Sequence, residues 1–114
     1  MGERAKVLVV DDSISACKIT TEILEGLQID TVSAIGPQEA IKVLSESQIN
    51  KDPFDLLLID SDMPETNGFA LAESIIKQQI SDARIVMMMT FPHLKRKAEL
   101  DRLGITTNIV KPFG

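Results

Sequence analysis

The stretch "LLLIDSDMPETNG", residues 56–68, decides the fold. It continues an apolar run, "FDLLLID" at 54–60, that reads as one strand with almost no polar interruption. Such strands are usually buried on both faces, as in a parallel sheet. This one ends on Asp60, with Asp62 two residues on, then Met63-Pro64 and a turn closing at Asn67-Gly68. A buried strand that runs into two carboxylates beside a proline asks for a chemical reason, and the rest of the chain supplies it.

Outward from this segment, short apolar runs alternate with longer amphipathic ones. "KVLVV" at 6–10 reads as a first strand and "IDTVSAI" at 29–35 as a second. "RIVMMM" at 84–89 and "TTNIV" at 106–110 read as the fourth and fifth. Between them fall four helical patterns. The first starts at Asp12 or Ser13 as cap, with Ile14, Cys17, Leu24 and Leu27 as its face. The second starts at Pro37, tolerated in a first turn, and turns Ala40, Ile41 and Leu44 inward. The third follows Gly68, with Phe69, Ala72, Ile75, Ile76 and Gln79 marking its face. The fourth runs from His93 to Leu103, with Leu94, Leu100 and Leu103 inward, and stops at Gly104. Strands alternating with helices predict an α/β fold, a parallel sheet with helices on both faces. A fifth helix is missing or truncated, which favours cover of that flank by a partner or pairing of two copies.

The 114 residues suit one domain spanning 1–114. A hydrophobic share of 44% with 25% charged residues argues for a folded domain rather than disorder. The formal charge of -5 argues against direct nucleic-acid binding, which needs a positive surface. No apolar run reaches the ~18 residues of a membrane helix, so no membrane insertion is expected. Cys17, the only cysteine, permits no internal disulfide and points to a reducing, cytoplasmic setting. Met87-Met88-Met89 reads as core strand, and His93 as a surface or cap residue.

Ligands of open parallel sheets sit beyond the carboxyl ends of the strands. On that map the first strand ends in Asp11-Asp12, the third in Asp60 with Asp62 beyond, the fourth in Thr90 and the fifth in Lys111. If those strands are neighbours, the unusual residues share one edge. Carboxylates gathered there repel one another, and a hard cation such as Mg2+ relieves the cost. A cation and Lys111 together attract and neutralise a transferring phosphoryl group. A carboxylate against that group can act as nucleophile, with the Thr90 hydroxyl donating to phosphate oxygen. Taken singly, each residue also has a bland reading, since Asp at a strand end commonly starts a turn or caps a helix.

These marks together resemble the receiver domain of the two-component response-regulator family. The resemblance runs from about Lys6 to Phe113 and rests on Asp11-Asp12, "DSDMPETNG", Thr90 and "KPF". It implies a five-stranded, doubly wound sheet of flavodoxin-like order 2-1-3-4-5. It implies that Asp60 accepts a phosphoryl group from a phosphohistidine on a histidine kinase or histidine phosphotransfer protein, and later loses it slowly. It implies that Asp11, Asp12, Asp60 and Asp62 serve Mg2+, that Lys111 pairs with the phosphate or Asp60, and that Thr90 reports loading.

Four positions bear on how far the family's behaviour carries over. Phe91 replaces a small residue after Thr90, Asn108 replaces an aromatic switch, and Asp62 with Pro92 occupies the positions that tune phosphate lifetime. The segment 91–113 looks more like receivers attached to hybrid sensor kinases than like those on transcription factors. Two alternatives stay open: a non-phosphorylated pseudo-receiver serving as an interaction module, and a haloacid-dehalogenase-like phosphatase using Asp60 and Asp62.

Overall fold

Each apolar run becomes a strand and each amphipathic run a helix. The computed structural model of the chain describes residues 5–61, 63, 68–89, 97–105 and 107–110. In chain order the elements are β1 (Lys6–Val10), α1 (Ile14–Gly26), β2 (Asp30–Ala34), α2 (Pro37–Ile49), β3 (Leu56–Asp60), α3 (Gly68–Lys77), β4 (Arg84–Met89), α4 (Lys97–Leu103) and β5 (Thr107–Val110). The strands form one sheet in the order β2-β1-β3-β4-β5, and every neighbouring pair is parallel. This is the doubly wound arrangement expected from the sequence.

Strand alternation divides the core in two. Leu8, Val10, Leu57, Ile59, Ile85, Met87 and Met89 face α2 and α3, which contribute Ala40, Leu44, Phe69, Ala72 and Ile75. Val7, Val9, Leu58, Val86 and Met88 face the other way, with Cys17 and half-buried Leu24 of α1. The methionine run is therefore core, split between the two faces of β4. β2 lies at the edge and is largely exposed, which explains its imperfect alternation.

Of the face expected for the first helix, Cys17 and Leu24 turn inward and Ile14 and Leu27 do not. Ile14 is 71% exposed and Leu27 67%, whereas Ala16, Cys17 and Thr20 are buried. The buried side chains are small, and the larger isoleucines fall to the flanks. Leu27 lies past the last turn as the C-cap, which also removes it from the helix face. Ser13 is the N-cap, its side chain accepting from the Ala16 N–H at 3.2 Å. Ile76 is 39% exposed, and Gln79 is exposed with φ 53, beyond the end of α3. Of the fourth helix, Leu103 packs against the core; the expected start at His93 and Leu94 lies outside the described residues.

Helix ends follow one scheme. Gln28, Lys51 and Gln79 adopt positive φ just beyond α1, α2 and α3, and Gly104 does so after α4. The next N–H then turns back onto the last helical carbonyls, as in Ile29 to Leu24 and Ile80 to Ile75, both at 3.0 Å. At Gly104 a glycine makes that conformation cheap.

Arg102 Nη1 of α4 donates to Glu73 Oε2 of α3 at 2.7 Å, joining two helices of the same layer. The guanidinium, aided by Lys77, holds the Glu73 carboxyl below its ordinary value of 4.5. A depressed carboxyl pKa contributes stability that is complete above the unfolded value and is lost as pH falls through the folded one. In a carboxyl-detected NMR titration, Arg102→Ala should move the Glu73 midpoint up toward the ordinary value. An unchanged midpoint would show that the pair does not bind in solution.

Candidate functional site

The register of the sheet sets the site. Val10 lies opposite Ile59 across β1 and β3, so the next residues, Asp11 and Asp60, are brought level at the carboxyl edge. Asp11 continues the main-chain ladder, its N–H donating to Ala34 O at 3.1 Å. Its Oδ1 accepts from the Ser13 N–H at 3.0 Å, so the same residue also turns the chain into α1. Cys17 Sγ, on the first turns of α1, donates to the Asp11 carbonyl at 3.4 Å. Asp12 follows and is exposed.

Asp60 is the last residue of β3 and only 1% exposed; Asp11 is fully buried. One carboxylate oxygen each from Asp11, Asp12 and Asp60 lie within 4.8 Å of one another. Opposite ligands of one octahedral magnesium are about 4.2 Å apart, twice its metal–oxygen distance. The all-oxygen donor set and the spacing therefore fit a small hard cation, with room for water ligands on the exposed Asp12 side.

Of the other expected site residues, Asp62, Thr90 and Lys111 lie outside the described residues. Thr90 directly follows the last residue of β4, and Lys111 the last of β5. β4 is a direct neighbour of β3, and β5 of β4. Asn108, at the place of the expected aromatic, lies in β5 opposite Met87.

Gly68 is held against the site by its missing side chain. A Cβ there would overlap the Asp60 carbonyl oxygen, lie 2.9 Å from the Asp60 carbonyl carbon and 3.0 Å from Ile59 Cγ2. The Gly68 N–H also donates to Ser61 O at 3.2 Å. The first turn of α3 is thereby pressed onto the Asp60 peptide, and the glycine at 68 has a steric cause. Ser61 was not legible as a site residue: it is fully buried, and its N–H donates to Met88 O at 2.9 Å.

Residues 7–114 match the family model described as the response regulator receiver domain. The chain is 28% identical over 111 residues to a probable transcriptional regulator ycf27 of Porphyridium aerugineum, covering 97% of this chain and 43% of that protein. It is 30% identical over 108 residues to the transcriptional regulatory protein ZraR of Escherichia coli, covering 94% of this chain and 23% of that protein. The chain thus spans less than half the length of these curated relatives. Among solved structures it is similar to the chemotaxis protein CheY4 of Vibrio cholerae, with a TM-score of 0.82 and 32% identity over 98% of this chain and 90% of that one.

Because the obstacle at Gly68 is backbone, no rotamer change relieves it. Gly68→Ala should lower the unfolding free energy by about 1–3 kcal/mol in urea titrations. A variant as stable as the parent would mean that α3 and the Asp60 peptide do not touch in this way.

Proposed function

The chain belongs to the response regulator receiver domain family, and from that premise we propose that it is a phosphoacceptor unit of a two-component phosphorelay. The observation that carries the reading is the convergence of Asp11, Asp12 and Asp60 at the carboxyl edge of the sheet. Asp60 is the acceptor, because it ends the central strand and its carboxylate is shielded from bulk water.

In the proposed reaction an Asp60 carboxylate oxygen attacks phosphorus. The bond from phosphorus to the donor's imidazole nitrogen breaks, and its electron pair leaves with the histidine. The product is an acyl phosphate on Asp60, and later attack by water returns the carboxylate and inorganic phosphate slowly. Asp11 and Asp12, with Asp60 and Asp62, would hold Mg2+. When bound, the cation would offset the negative charge of carboxylates and phosphoryl oxygens. Lys111 pairs with the phosphoryl oxygens or the Asp60 carboxylate, and Thr90 donates its hydroxyl to the phosphoryl, following the family pattern at those positions.

The donor is a histidine kinase or a histidine phosphotransfer protein, and the whole of 1–114 acts as one receiver unit. A place within a hybrid histidine kinase is supported by the resemblance of residues 91–113 to such receivers. The acidic balance, -5 overall, leaves direct nucleic-acid contact to other parts of any longer protein. Among the described residues no helix is long and apolar enough to cross a membrane. In this reading the unit works in the cytoplasm beside a kinase. Pairing of two copies belongs to the same reading.

Acetyl phosphate with Mg2+ should add one phosphoryl group per chain by intact mass, and Asp60→Asn should abolish it. Label surviving in Asp60→Asn would move the acceptor elsewhere. Continuing turnover of a phosphate ester would favour the phosphatase reading, and no label under any condition would leave an interaction module.

A further inference from the structure

Directly after Asp60 in the chain, Ser61 is fully buried, and among the described residues its Oγ has no hydrogen-bond partner. A hydroxyl can donate once and accept twice, and buried polar groups are nearly always partnered. Leaving one unmet disfavours the conformation that contains it. Thr20 on α1 shares this condition; Ser61 is the one that directly follows Asp60 in the chain.

The main chain of Ser61 is fully engaged. Its N–H donates to Met88 O at 2.9 Å and its carbonyl accepts from the Gly68 N–H at 3.2 Å. The preceding peptide is pinned by the close approach of Gly68 to the Asp60 carbonyl. Ser61 is therefore a fixed bridge between the end of β4 and the start of α3, and its freedom is rotation about χ1 among staggered wells. Met88 stands two residues before Thr90 in the chain. The Ser61 N–H to Met88 O bond thus links the residue after Asp60 to the strand that Thr90 follows.

We propose that Ser61 is a positioning residue whose hydroxyl lacks a partner while Asp60 is free and gains one when Asp60 is loaded. It thereby weights the equilibrium toward the loaded conformation. A group that penalises one of two states shifts the population toward the other, and tightens any ligand that selects it. The inference rests on the reading of Asp60 as phosphoacceptor and adds a residue to its regulation.

The test uses the full chain with beryllofluoride and Mg2+ as the phosphoryl mimic. Ser61→Ala should raise the thermal midpoint of the unloaded protein, because the unmet hydroxyl is gone. The same change should weaken beryllofluoride binding by about tenfold, the order expected for one hydrogen bond made in only one state. Ser61→Thr, which keeps the hydroxyl, should restore the affinity. Ser61→Ala binding the mimic as tightly as the parent, or lowering the unloaded midpoint, would overturn the proposal. Failure of the parent itself to bind would instead remove the Asp60 reading, and this inference with it.

Discussion

Three carboxylate oxygens share a space 4.8 Å across, and two of the residues that bear them are buried. Like charges at such distances in a partly shielded site repel by kilocalories per mole rather than tenths. Nothing in strand pairing or core packing asks for this concentration of negative charge. The fold has to supply the stability that the edge gives up. It does so with a two-sided core in which Leu8, Val9, Val10, Leu57, Ile59, Met87 and Met89 are essentially inaccessible to water. Proteins commonly trade stability for a functional site in this way.

The geometry of that edge follows from topology. Placing β1 beside β3, with Val10 opposite Ile59, brings two residues far apart in the chain level with each other. Three devices hold them there: the Asp11–Ser13 bond, the Cys17 thiol on the Asp11 carbonyl, and the close approach of Gly68 to the Asp60 peptide. The first two tie the site to α1, and the third ties it to α3. Both faces of the sheet therefore meet at the same carboxylates.

Much of this was legible in the sequence, because the informative residues punctuate apolar runs. The uninterrupted "LLLI" before Asp60 announced a central strand, and the positions after β1 and β3 placed the acidic edge. What escaped was decided by tertiary contact. Hydrophobicity picked out Cys17 and Leu24 of the inner face of α1, but also favoured Ile14 and Leu27, where the helix instead turns small Ala16 and Thr20 inward and leaves large side chains on its flanks. Ser61 carries no distinguishing mark in the sequence and is fully enclosed. The Arg102–Glu73 pair joins helices distant in sequence, and periodicity carries no information about such a partner.

The central claim is that the Asp11–Asp12–Asp60 cluster is a cation site rather than a chance accumulation of charge. Calorimetric titration of the unphosphorylated chain with Mg2+ tests it most directly. One ion should bind per chain, and Asp11→Asn should weaken it by about tenfold or more, as expected when the coordination of a metal site is disturbed. Magnesium binding that Asp11→Asn leaves intact, or no binding by the parent chain at millimolar Mg2+, would contradict the account.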